Sequence, residues 1–128
     1  MDIVSDGLTV IRNGQKSGLD RVTLRGSKLL EQIAAILKDR GYIKDFSVMK
    51  DKKFFIDVKL KYDDSEKPVI RKINRISKNS CRLYSKADKI PRIMNGYATV
   101  IITTSRGVMT GREAREKKIG GEPVCYVF

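Results

Sequence analysis

The stretch "TTSRGVMTGREA", Thr103 to Ala114, concentrates the side chains of this chain best suited to chemistry. Three hydroxyl residues precede an arginine and a glycine, and Thr110 and Glu113 then stand at the spacing of a helix capping box. A phosphate-cradling loop needs GxxxxGK[ST], and that pattern is absent. A nucleophile elbow needs GxSxG, but Thr103 occupies the place of the first glycine. The chain contains no histidine, so Ser105 has no imidazole to activate it, and histidine metal ligation is excluded as well. A hydroxyl-rich loop remains at the end of a strand, with Arg106 beside it and Gly107 permitting close backbone approach. Hydroxyls donate and accept, so Thr103, Thr104 and Ser105 suit base edges, ribose 2′-hydroxyls or phosphates. From chemistry alone, a solvent-facing connection and an RNA contact both stay open.

Charge narrows the choice. The 128 residues carry 27 Lys+Arg against 15 Asp+Glu, a net charge of +12, which in a small domain points to a polyanionic partner. The excess is uneven: 13 basic and 10 acidic residues lie in 1–64, and 14 and 5 lie in 65–128. Lys67 to Arg92 is densest, with nine basic residues opposed only by Asp88, so the C-terminal half is the better candidate for gripping phosphates. Cys81 and Cys125 form no CxxC pattern and cannot make a four-thiolate zinc site. They read as reduced, buried thiols of a reducing compartment, with a single bridge left open. No apolar run, Ile33 to Leu37 among the longest, is long enough to span a membrane, and "MDIVSDG" has no signal-peptide character.

The elements that must position the loop follow from periodicity. Asp2 to Asn13 places Val4, Leu8 and Ile11 on one helical stripe, capped by Asp2 and followed by a polar loop flanked by Gly14 and Gly18. "RVTLRG" is a short strand; Ser27 caps a helix whose apolar face is Leu29, Leu30, Ile33, Ile36 and Leu37, and Gly41 ends it in a left-handed conformation. "YIKDFSVMK" and "FFIDVKLKY" are strands around a turn at Asp51-Lys52. In the second, Phe54, Ile56, Val58, Leu60 and Tyr62 alternate with a wetter face. The polar segment "DDSEKP" marks a boundary between domains 1–64 and 68–128. Beyond it, "VIRKINRIS" and "CRLYSK" are predicted strands joined through "KNS", and "KIPRIMNG" is a proline-bearing turn. "YATVIITT" holds six consecutive β-branched residues, Thr99 to Thr104, and is a strand. A short helix runs from Gly111 to Lys118, Gly120-Gly121 breaks it, and "PVCYVF" is the last strand. The order αβαββ, then mostly β with a short helix, predicts two small α+β domains.

The block "TTSRGVMTGREAREKKIGGEPVCYVF" resembles the C-terminal signature of the bacterial-type small-subunit ribosomal protein S-eight family. "DGLTVIRNG", "GSKLLEQIAAILKDRGYIKDF" and "CRLYSKADKIPRIMNG" resemble its upstream segments, in the right order along the chain. The resemblance implies a two-domain α+β protein that binds an irregular helix in the central domain of small-subunit ribosomal RNA and supports subunit assembly. It also implies that the same surface can take a messenger-RNA mimic and repress translation. Carried over residue by residue, it implies RNA contacts at Thr103, Thr104, Ser105, Arg106 and Gly107, at Tyr84 and Lys86, and at the turn Gly120, Gly121 and Glu122. In the N-terminal domain, Thr9, Arg12, Asn13 and Lys28 match positions expected against RNA backbone or minor groove. Expected partners are small-subunit ribosomal RNA and neighbouring small-subunit proteins, with the chain monomeric when free. The resemblance implies no catalysis, cofactor, metal, membrane or small-molecule substrate. The ribosome is expected in the cytoplasm, with an organellar one left open.

Departures from the family pattern are Thr103 for serine, Arg106 for a common lysine, Gly111 for aspartate and Val10 for a frequent arginine. Plainer readings stand beside the functional ones. Tyr84 can pack on the core, and Arg112, Arg115, Lys117 and Lys118 can form a solvated helix face. Arg12 can pair with Asp2 or Asp6, and Glu122 can accept hydrogen bonds from a turn or a basic neighbour. Two rival classes are a general nucleic-acid-binding protein outside the ribosome, disfavoured by the lack of a helix-turn-helix, and an enzyme using Ser105 or Cys125.

Overall fold

The structure, a computed structural model, describes residues 3–77 and 83–128. The expected cap Asp2, Cys81, the "KNS" connection and Arg82 lie outside the described residues. The chain divides into two compact units, Met1–Arg71 and Lys72–Phe128.

In the first unit the order is α1 (Ile3–Lys16), β1 (Arg21–Arg25), α2 (Lys28–Asp39), β2 (Ile43–Met49) and β3 (Phe55–Leu60). The strands form an antiparallel sheet in the order β1-β3-β2. Val4, Leu8 and Ile11 of α1, Leu30, Ile33, Ala34 and Leu37 of α2, and Val22, Leu24, Ile56, Val58 and Leu60 of the sheet make the core. Ser27 caps α2 by accepting from the Leu30 amide at 3.1 Å, and Gly41 follows it at φ +80°, both as the local residue types dictate. One expectation needs correction: α1 does not stop at Asn13 but continues to Lys16. Gly14 is no terminator; a Cβ there would stand 2.5 Å from Val22 Cγ1, so it lets the helix approach the sheet. The turn falls at Gly18, φ +73°. The polar segment 63–68 lies inside this unit: Asp63 Oδ1 accepts from the Ser65 and Lys67 amides, and Tyr62 bridges Pro68.

The second unit contains β4 (Ile73–Arg75), β5 (Thr99–Thr104), β6 (Gly107–Thr110), α3 (Gly111–Glu116) and β7 (Gly121–Val127). Its antiparallel sheet has the order β4-β7-β5-β6. The β-branched run builds β5 at the centre, where Val100, Ile101 and Ile102 are buried. Ala114 of α3 packs with Ile90, Ile102 and Met109. Together with the first unit this is an α+β architecture, as expected. Within the predicted strand 69–77 the regular ladder covers Ile73–Arg75, extended by backbone bonds between Lys72 and Phe128 and from the Ile76 amide to Val124 O, while the Val69 amide bonds Lys61 O. Residues 83–86 are not a strand either; their one sheet contact is the Ser85–Gly121 bridge. Leu83, Tyr84 and Lys86 are all exposed, so this segment has no face to bury. No helix among the described residues is long and apolar enough to cross a membrane.

Candidate nucleic-acid interface

The hydroxyl stretch is the tip of a β-hairpin, not a strand-to-helix connection. Thr104 pairs with Gly107, leaving Ser105 and Arg106 as a two-residue turn, and the chain runs back along β6 before α3 begins. Neither Ser105 nor Arg106 takes a positive φ; Gly107 does, at +112°. An unprimed turn splays the strands it joins, and a glycine with positive φ just after it restores their twist. A Cβ on Gly107 would meet nothing within 4 Å, so conformation rather than close approach demands glycine there.

The three hydroxyls have different tasks. Thr104 Oγ1 donates to Gly107 O at 2.8 Å and accepts from the Arg106 amide at 3.1 Å, so its only proton is held inside the turn. Among the described residues no side-chain partner engages Ser105, which is exposed, or Thr103, which is half-buried. The far end of the hairpin is fixed by Thr110, whose Oγ1 accepts from the Glu113 amide at 3.2 Å and contacts Glu113 Oε1 at 3.1 Å. Gly111 is buried against Ile90 and Val100, where a Cβ would stand 3.2 Å from Ile90 Cγ2.

Tyr84, Lys86, Gly120, Gly121 and Glu122 are assembled beside this tip. Gly121 pairs with Thr104 across β5–β7 and with Ser85 on its other side. A Cβ on Gly121 would fall 2.2 Å from Thr103 O, and one on Gly120 would fall 2.6 Å from Ser85 O and 2.9 Å from Tyr84 Oη. The Gly-Gly pair thus lets β7 start in a space that admits only backbone, and this seats the Tyr84 segment next to the hairpin. Tyr84 is 75% exposed, which removes the core-packing alternative. Glu122 accepts from the buried Ser77 hydroxyl at 3.0 Å. It acts as a structural acceptor, as its charge requires beside a basic surface.

In the first unit, Thr9, Arg12 and Asn13 fall at i, i+3 and i+4 on α1, and all three are exposed. Thr9 Oγ1 donates to Ser5 O at 2.9 Å, so its proton stays within its own helix. Lys28 is exposed in the first turn of α2. On α3, Arg112 pairs with Glu116 at 3.4 Å on the solvated surface. Arg115 differs: burial pulls its guanidinium below the ordinary value, Arg92 and Arg112 add to this, and its Nη1 is buried without a hydrogen-bond partner among the described residues. Cys125 is a free, buried thiol that burial pushes up to about 12, with Arg75 pulling weakly the other way, so it has no nucleophilic character.

Two parts of the site lie outside the sequence expectations: Ser85, whose bridge to Gly121 seats the Tyr84 segment, and strand β6. For β6 the signal was present: a β-branched run, two turn residues, a glycine and a second apolar stretch make a hairpin pattern. For Ser85 there was none, because its partner Gly121 is remote in the chain.

Comparison with known proteins identifies the family. The family model for Ribosomal protein S8 matches residues 2–128. The chain is 48% identical to the small ribosomal subunit protein uS8 of Laribacter hongkongensis over 127 residues, covering 98% of this chain and 96% of that one. It is 47% identical to uS8 of Borreliella burgdorferi strain ZS7 over 126 residues, 98% and 96% of the two chains. It is 45% identical to uS8 of Acholeplasma laidlawii over 127 residues, 99% and 97%. A family model that matches residues 2–128, and relatives 45–48% identical along nearly the whole chain, place this protein in the ribosomal protein S8 family.

Proposed function

We propose that this protein is a structural constituent of the small ribosomal subunit that binds small-subunit ribosomal RNA directly and supports subunit assembly, without catalysing a reaction. The observation that carries this reading is the gathering of Ser105, Arg106, Tyr84 and Lys86 around Gly120-Gly121 at one end of the second sheet. The tip supplies two hydroxyls without side-chain partners among the described residues, two cations and an exposed ring. That set suits an irregular RNA helix, whose splayed bases offer edges and faces that a regular A-form groove hides. The hairpin is held by Thr104 and Thr110 before RNA arrives, which lowers the ordering cost of binding. The cations supply affinity without choice, and the hydroxyls supply choice. The α1 face of Thr9, Arg12 and Asn13, with Lys28, adds backbone contacts. The partners are small-subunit RNA and neighbouring small-subunit proteins, and the free chain is a monomer.

Footprinting tests this reading. The protein should protect one irregular helix of small-subunit RNA from chemical probing, and Arg106→Ala should weaken that protection. Equal affinity for an unrelated RNA duplex, with no discrete footprint, would refute it.

A further inference from the structure

The first sheet carries α1 and α2 on one face; its opposite face, where it meets the end of the sheet near Ile3 of α1, holds a feature that the hairpin site does not use. One cross-strand row on that face is Arg25, Phe55 and Met49, in register across β1, β3 and β2, and all three side chains are exposed. Just beyond the row, the Phe54 ring lies on the backbone of Gly26: a Cβ there would fall 2.1 Å from Phe54 Cδ1, and the Gly26 amide donates to Phe54 O at 2.8 Å. Lys50 Nζ sits 4.7 Å from the centre of that ring, so Phe54 already has a cation over it. Among the described residues no cation covers Phe55, which is 37% exposed. Ile3, Arg25, Gly26, Lys53, Phe54 and Phe55 line a groove of about 570 Å³ at this end of the sheet.

The chemistry of the lining is specific. It joins two aromatic rings to two cations and contains no carboxylate. The one acid in the next row of that face, Asp57, is engaged by Arg21 at 3.6 Å. An apolar protein segment would use the rings and leave both cations without a counter-charge, whereas a nucleotide uses both, through its base and its phosphate. The volume lies within the range of small-ligand clefts. We propose that this groove is a second RNA subsite, in which one unpaired nucleotide stacks its base on Phe55 and sets its phosphate on Arg25 and Lys53. The inference rests on the RNA-binding function proposed above and adds a contact made by the first unit.

The test is ultraviolet crosslinking of the full-length protein to small-subunit RNA, with the nucleotide adducts mapped by peptide mass spectrometry. An adduct is expected on the Phe54–Phe55 peptide as well as at the Tyr84 segment. Phe55→Ala should abolish the first adduct only and weaken binding on the order of tenfold, the scale of one lost base stack. Phe55→Tyr, which keeps a ring, should restore both, a rescue that a merely structural role would not show. Arg25→Gln should lower the salt slope by about 0.7, one single-stranded phosphate's worth. Wild-type affinity in Phe55→Ala, or a crosslink from Phe55 to a protein instead of RNA, overturns the subsite while leaving the hairpin reading intact. Failure of the unaltered protein to bind this RNA at all refutes both.

Discussion

Thr104→Val and Ser105→Ala remove adjacent hydroxyls to which the structure gives different tasks, so their effects should separate. Thr104 makes two bonds within the turn, at 2.8 and 3.1 Å, and is half-buried. A neutral hydrogen bond contributes roughly 0.5–1.5 kcal/mol net, and water replaces part of it here, so Thr104→Val should cost about 1–2 kcal/mol of stability. Unfolding entropy of about 2.1 cal/mol/K per residue, over 128 residues, converts this to a fall in Tm of about 4–8 °C for a chain unfolding as one. Ser105 is exposed and its side chain makes no bond among the described residues, so Ser105→Ala should stay within about 0.5 kcal/mol of the parent. Its effect belongs to binding: a loss on the order of 0.5–2 kcal/mol against small-subunit RNA, with affinity for an unrelated duplex hardly changed. Thr104→Val should weaken both measurements through a disordered tip. Thermal melts and paired RNA titrations on each variant decide the matter. If Ser105→Ala melts like Thr104→Val, or leaves the ratio of the two affinities unchanged, the division of labour drawn from the geometry is wrong.

Gly121→Ala should destabilise by about 1–3 kcal/mol through overpacking against the Thr103 carbonyl, and should loosen the Tyr84 segment, read as increased proteolysis there. Gly107→Ala meets open space but must hold φ +112°, so its cost of about 1–3 kcal/mol is conformational, and Gly107→Asn should fare better than Gly107→Val in urea unfolding. Arg106→Ala should weaken specific and non-specific RNA binding alike and reduce the salt slope by about one phosphate's worth, measured by titration across ionic strengths. The Cys125 thiol should resist alkylation at mild alkaline pH until denaturant is added. Its folded value of about 12 lies above the ordinary 9.0, so its contribution is complete below 9.0 and stability falls as pH rises from there towards 12, checked by urea unfolding across that range.

What could be read from the chain alone was what depends on near neighbours. Ser27 before an apolar helical face, Gly41 after it, and Thr110 three residues ahead of Glu113 each satisfy backbone groups within one turn, so residue type and spacing were sufficient. The run Thr99 to Thr104 formed a strand because β-branching acts residue by residue. The net charge needed no structure to point towards a polyanion, and the order of motifs was enough to indicate the family. The tertiary structure decided what depends on remote partners. Gly14 looked like a helix end and is a point of close approach, because Val22 and Leu60 lie where its side chain would be. The segment from Leu83 to Lys86 looked like a strand but finds only one bridge, because no apolar face of it has anything to cover. Tyr84 is seated beside the start of β7 because Gly120 and Gly121, far along the chain, leave room for backbone alone. Thr104 and Ser105 are similar by residue type, and only the fold directs one hydroxyl into the turn and leaves the other exposed. Local conformation is a sum over near neighbours and is written in the sequence, whereas a binding site is a meeting of distant residues whose geometry exists only once the chain has closed on itself.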